Sequence, residues 1–341
     1  MDRGEHHLPD IRFTRDLGWP CIAAGRRAGE VERIRPGAFG PAPDGATTWD
    51  RERQQALAMA AAVAGTMRTD VVFSHTTAAL LHGLPVGSWD GYAHVLVSTR
   101  QGRMTGEGVR RHLDSCGPEE IVEIAGLPTT NLWRTIVDCT RNTHPRIALA
   151  IADAGLRMLA AMNRFDREES ERREAEVRAR LLQLLARWTG AKGTLQASAI
   201  LHAATGFSES FGESVLRWIV LAFGLPKPIC QLEIVTPAGS YFPDLAWRLS
   251  QLSGDPSDLR VLAEEYDGIG KYAHRADHDG SVLLNRESRR DRALVQQGVD
   301  VRHRGAPDLR NPDALARSIA GRFPAGLLGR MRKVRGLYVP A

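Results

Sequence analysis

Lysine is scarce in this chain. Of its 45 basic residues only four are lysines, Lys192, Lys227, Lys271 and Lys333, and arginine supplies the rest. Cysteine is equally rare: Cys21, Cys116, Cys139 and Cys230 are scattered, with no Cys-x-x-Cys pair. That argues against a zinc ribbon or a disulfide scaffold and points to a reducing cytoplasm. No stretch approaches the roughly 18 apolar residues that a membrane span requires. The opening MDRGEHHLPD lacks the apolar core of a signal peptide. What remains is ordinary for a globular protein: 43% hydrophobic and 25% charged residues. A length of 341 residues suggests two or three domains. A net charge of +5 and a pI near 9.3 permit a polyanion partner without requiring one.

Residues 12–40 read RFTRDLGWPCIAAGRRAGEVERIRPGAFG. Thr14 caps a short helical turn and Gly18 breaks it. Cys21–Gly29 suits a second short helix displaying Arg26 and Arg27. VERIRPGAF then reads as a small strand pair bent at Pro36-Gly37, carrying Arg33 and Arg35. Helix, turn, helix and ribbon is the order of a winged helix-turn-helix; the bland alternative is a small packing appendage. Residues 40–48 read as a Pro/Gly-rich linker.

Residues 49–205 alternate helical and strand patterns, a mixed α/β region. RERQQALAMAAAVAGTMR is an Ala-rich helix. FSHTTAALLHGLP starts another, with Ser74 as N-cap and Gly83 as stop. AHVLVST and EEIVEIAGLPTT carry strand-like runs, and a long charged helix covers about 167–188. His75, His82, His94 and His112 are spaced by 7, 12 and 18 residues, which matches no compact metal motif. Structural or capping roles are expected for them. No Gly-x-Ser-x-Gly elbow surrounds Ser74-His75.

From 209 onward the order is α-β-β-β-α-β-α, a mixed sheet flanked by helices. ESFGESVLRWIVLAFGL is an amphipathic helix ending at Gly224, with Glu213 and Arg217 on one face. Strands follow in ICQLEIVT, YFPDLAWRL and LRVLAEEYDG. Glu265 and Asp267 stand two apart and share one face of their strand. Hairpin-like pairing brings Asp244 beside them. Three converging carboxylates persist only with a cation, a shared proton or heavy hydrogen bonding. Hard oxygen ligands suit Mg²⁺ or Mn²⁺, which activate water and neutralise charge on a phosphoryl group. Lys271 adds positive charge to that site, and Glu213 reaches it from the preceding helix. HRADHDG offers His274 and His278 at helical zinc spacing, but its polar, glycine-ended composition reads as a loop.

The run Glu213, Pro243-Asp244, Glu265-x-Asp267-Gly268, Lys271 and Arg289/Arg292 resembles the PD-(D/E)xK nuclease superfamily. Within it, the stretch is similar to the very-short-patch-repair-endonuclease-like domain at the C-terminus of many actinobacterial proteins. RIRPGAF, FSHTTAALLHGLP, GLPTTNLWRTIVDCTR and ALAIADAGLR resemble the AbiEi-type antitoxins of type IV toxin–antitoxin systems. The likeness covers about 12–320. It implies a winged-helix-like DNA-binding module and linker (1–48), an antitoxin-like α/β region (49–205), a restriction-endonuclease-like mixed α+β domain (206–323) and a basic tail (324–341). It implies catalytic roles for Asp244, Glu265, Asp267, Lys271 and Glu213, with Mg²⁺ or Mn²⁺ held by the first three. It further implies DNA contacts from Arg26, Arg27, Arg33, Arg35, Arg289 and Arg292, and a cognate toxin as partner. Two departures stand out. Asp267 occupies the superfamily's lysine position, and the strand after the arginine-rich helix lacks the expected aromatic.

Two functions follow as expectations. One is a nucleic-acid-binding protein with a metal-dependent endonuclease-like domain that hydrolyses DNA phosphodiesters. The other is an antitoxin-like transcriptional regulator with a catalytically degenerate nuclease fold.

Overall fold

The computed structural model describes residues 8–45, 47–67, 71–99, 105–237, 239–268, 294–324, 326 and 332–339. Lys271, His274, His278, Arg289 and Arg292 lie outside them. The protein is a mixed α+β chain in two compact units, Met1–Thr143 and His144–Ala341. Among the described residues no helix is long and apolar enough to cross a membrane.

The first unit opens with β1 (Arg12–Phe13), α1 (Thr14–Arg27), β2 (Glu32–Arg35) and β3 (Ala38–Gly40). Gly18 breaks α1 into two helical pieces: at φ 72° and ψ 157° it leaves helical geometry, a conformation glycine reaches without steric penalty. Pro36-Gly37 makes the bend before β3, with Gly37 at φ 79°. The three strands form one sheet in the order β1-β3-β2.

Helix α2 (Thr48–Thr66) starts at a capping box. Asp50 N–H donates to Thr47 Oγ1 at 3.1 Å, and Thr47 N–H donates to Asp50 Oδ2 at 3.0 Å. Such a cap contributes about 1 kcal/mol. Then come β4 (Val72–Phe73), α3 (His75–Leu81), β5 (Ala93–Val97), β6 (Thr105–Gly106) and β7 (Val109–Leu113). Ser74 stands at the N-cap position of α3, yet its hydroxyl caps nothing. It bonds His75 Nδ1 at 2.9 Å instead.

The run 119–130 is not one strand but a hairpin, β8 (Ile121–Ile124) and β9 (Leu127–Thr130), before α4 (Leu132–Asn142). Ala125 and Gly126, at φ 50° and 76°, make its two-residue turn. The large sheet runs β6-β7-β5-β4-β9-β8. Phe73, Val95, Val109 and Leu81 are buried with Val63 of α2 in one core cluster.

The second unit begins with α5 (Pro145–Leu159), α6 (Arg167–Leu185), α7 (Thr194–Ala203) and α8 (Phe211–Ala222). A four-stranded sheet is built from β10 (Ile229–Cys230), β13 (Leu245–Arg248), β14 (Val261–Asp267) and β15 (Val299–Gly305), in that order. Between β10 and β13 the chain makes a separate hairpin, β11 (Ile234–Thr236) and β12 (Gly239–Tyr241). The short helices α9 (Leu249–Ser253) and α10 (Pro312–Ala320) also belong to this unit.

The stretch ICQLEIVT, expected as one strand, is therefore two strands in different sheets. The break is at Gln231, a buried non-glycine residue at φ 50°. Strands β10/β13 and β13/β14 are antiparallel, whereas β14 and β15 are parallel. Trp247, 2% exposed, anchors the sheet. Its indole N–H donates to Pro226 O at 2.8 Å, and its ring meets Phe323 edge-on at 5.3 Å.

Candidate functional site

The carboxylates of the second unit are set by sheet register. Leu245 pairs with Glu264 in the antiparallel ladder. Continued by one residue, that register sets Asp244 opposite Glu265. The Gln231 N–H to Asp244 O bond, at 3.4 Å, extends the β10–β13 pairing to the same level. Asp244 is half-buried and accepts hydrogen bonds from Tyr266 and Gln231. Tyr266 N–H donates to its Oδ2 at 2.8 Å, and Gln231 Nε2 donates to its Oδ1 at 3.3 Å. Asp244 thus grips the peptide between Glu265 and Asp267, both of which are buried.

Glu213 comes from the first turn of α8, whose N-cap is Ser210. The helix reaches the end of β14 because residue 212 is glycine. A Cβ there would lie 1.9 Å from Tyr266 Cε1. Burial and the negative charge of Asp244 push the Glu213 carboxyl up to about 7. The Glu209 N–H, which donates to Glu213 Oε2 at 2.7 Å, pulls the other way but does not prevail.

Asp267 pairs with His303 of β15, Oδ2 to Nδ1, at 3.0 Å. The neighbouring Glu264 faces the opposite side of the strand and is fully buried. Arg304 Nε donates to it at 2.5 Å and Arg322 completes the clamp. Glu264 is thus a compensated structural acid, whereas Glu213 is a carboxyl on which the Asp244 charge acts. Among the described residues, no three His, Cys, Asp or Glu side chains are grouped closely enough to hold a metal ion. Asp244, Glu265 and Asp267 would be the residues to hold Mg²⁺ or Mn²⁺, though among the described residues they form no three-ligand group. The arrangement does offer a carboxyl that is half-protonated near neutrality, the requirement for a proton donor at that pH.

Three residues of this edge escape sequence reasoning. Gln231 is held by Arg164, whose Nη1 donates to its Oε1 at 3.0 Å, and by Arg167, whose Nη1 donates to its carbonyl at 3.1 Å. Arg164 also bonds Glu209 at 2.5 Å. The only sequence signal is a glutamine inside an apolar run. Left-handed backbone at a non-glycine residue, fixed by several side chains, marks a place where structure over-determines geometry.

In the first unit, Arg26, Arg27 and Arg33 are exposed. Arg35 is not displayed with them. A register shift between Arg33 and Arg35 breaks the alternation that would keep the two on one face. Arg35 turns inward, 9% exposed, with Glu107 at 3.8 Å and no hydrogen-bond partner for Nε or Nη1.

The histidines of this unit do converge. His94 Nδ1 meets His112 Nε2 at 2.9 Å, and His94 Nε2 meets Asp90 Oδ2 at 3.0 Å. His75 stacks on His112 with ring centroids 3.5 Å apart. Burial and the neighbouring rings hold His75 well below its ordinary value; burial lowers His112 to about 3. Parallel pairing of β5 with β7 creates this proximity, which a search for local spacing does not detect. His82 is separate and bonds Thr130 O at 2.8 Å.

No protein-family model matches the chain, and no solved structure matches it. Two curated relatives, the uncharacterized proteins MT2308 and Rv2248 of two Mycobacterium tuberculosis strains, are each 33% identical to it over 152 residues. The similarity covers 44% of this chain and 46% of each relative. The chain spans about half the length of the curated relatives it matches.

Proposed function

We propose that this chain is a DNA-binding protein whose second unit is an endonuclease-like domain of the PD-(D/E)xK type. The observation that carries the reading is Asp244 bonding the peptide between Glu265 and Asp267 while standing beside Glu213. The α8, β13, β14 and β15 elements that present these residues follow the helix-strand order expected of such a domain. Exposed Arg26, Arg27 and Arg33, at the end of a broken helix and on a short ribbon, suit phosphate contacts. They support the winged-helix reading of residues 12–40.

On the first reading the domain hydrolyses DNA phosphodiesters with Mg²⁺ or Mn²⁺. A second reading has its own support. Asp267 stands where a lysine is expected and is tied to His303, and the described carboxylates form no three-ligand group. That arrangement favours an antitoxin-like regulator whose nuclease fold binds without cutting, with a toxin as its partner. Plasmid nicking with Mg²⁺ or Mn²⁺, run beside a gel shift, separates the two. Metal-dependent nicking that Asp244→Ala abolishes supports cleavage. A gel shift without nicking supports the regulator. Neither signal overturns both.

A further inference from the structure

Helix α6, the turn after α7, Arg217 of α8 and the segment before β10 border an open cavity of about 380 Å³ in the second unit. Four cations line it: Arg167, Arg178, Arg217 and Lys227. The arginines are already paired. Arg167 bonds Glu171 at 2.9 Å, Arg178 bonds Glu174, and Arg217 bonds the buried Asp153. Lys227 differs. It is exposed, and no hydrogen bond or ion pair to it is found among the described residues. Arg217 is 2% exposed and its Nε–H has no acceptor, which is costly for a buried donor. The cavity wall thus carries an ammonium without a described partner, and one of its guanidinium residues has an unsatisfied N–H.

The lining also includes Glu171, Glu174 and Thr205, the two carboxylates being those paired with Arg167 and Arg178, so four cations face two acids; part of the remaining wall is apolar. The Arg167 guanidinium lies 4.3 Å over the Phe207 ring, and Pro228 and Ile229 continue the wall. A volume of this size fits a single small molecule and not a duplex. Ammonium and guanidinium groups select phosphate, and an apolar wall accommodates the organic part.

We propose that this cavity binds a small phosphate ester of about mononucleotide size, with Lys227 and Arg217 facing the phosphate. The inference uses none of the carboxylates beside β14, so it stands or falls separately from the nuclease reading.

The test is calorimetric titration of the full chain with AMP and with adenosine. AMP is expected to bind saturably and adenosine not. Lys227→Ala should weaken AMP binding on the order of fivefold, and Lys227→Glu more than about tenfold, as removal and then reversal of one exposed charge. Because Lys227 is exposed, both variants should keep the wild-type melting curve. Absence of AMP binding at millimolar concentration, equal binding of adenosine, or indifference to both Lys227 variants would each overturn the proposal.

Discussion

A buried charge cluster in the first unit and a half-buried one in the second are solved in opposite ways. In the first unit Arg134 is fully buried among Asp138, Asp114 and Glu120, and also donates to Ser115 O at 2.9 Å. The cation is surrounded by acceptors and every side of the fork is used. In the second unit the charge of Asp244 acts on Glu213, acid upon acid, while Arg164 is engaged by Gln231 and Glu209. A compensated cluster stabilises and fixes packing. An acid whose pKa is raised by burial and by a neighbouring carboxylate is a functional candidate, because such shifts cluster at functional sites.

The largest effect is expected where compensation is fullest. Arg134→Met would leave Asp138 and its neighbours buried without their cation, at a cost of about 3–5 kcal/mol. Burial already pushes Asp138 up to about 6 with the guanidinium present. Urea unfolding followed by tryptophan fluorescence should show the first unit melting earlier. A destabilisation below about 1 kcal/mol would mean that the network is not the anchor described above.

Glu213→Gln should act in the other direction. Glu213 ionises near 4.5 ordinarily and near 7 in the folded chain. The folded state therefore holds a proton that the unfolded chain has released. Its stabilising contribution is complete below about pH 4.5 and lost as pH rises through 7. Partial exposure screens the effect, so the loss is about 2 kcal/mol rather than the full linkage value. Glutamine, neutral throughout, should flatten this part of the stability profile and raise stability at about pH 8. A variant whose profile still falls between about pH 5 and 8 as the wild type does would place the titrating group elsewhere.

Local signals in the sequence were dependable where the physics is local. Gly18 breaks α1, Pro36-Gly37 bends the ribbon, and the helix from 211 stops before Gly224 because each depends on a residue's own backbone preference. Glu265 and Asp267 on one strand, with Asp244 leading the next, follow from period-two alternation. What was illegible depends on partners far along the chain. Gln231 breaks its strand because Arg164 and Arg167, more than sixty positions away, hold it. Ser74 has the right type for a cap, but a histidine competes for its hydroxyl. The three stacked histidines meet only through sheet pairing, and residue spacing carries no trace of that.

The smallest effect separates the arginines of the ribbon. Sequence alternation groups Arg33 with Arg35, while the register shift separates them. If residues 12–40 bind DNA, only exposed guanidinium groups reach phosphates. Each phosphate released from its cation changes the slope of log affinity against log salt by about 0.9. Arg26→Ala with Arg27→Ala should thus flatten that slope by about one to two units, and Arg33→Ala by about one. Arg35→Ala should leave the slope unchanged. Its consequence belongs to folding: removing a buried guanidinium whose Nε and Nη1 have no acceptor relieves an unmet donor cost while opening a void, so stability should move by no more than about 2 kcal/mol. Gel-shift titrations across a salt series measure the slopes. A slope that falls equally for Arg33→Ala and Arg35→Ala would put both side chains on the DNA-facing surface and undo the inward turn of the ribbon.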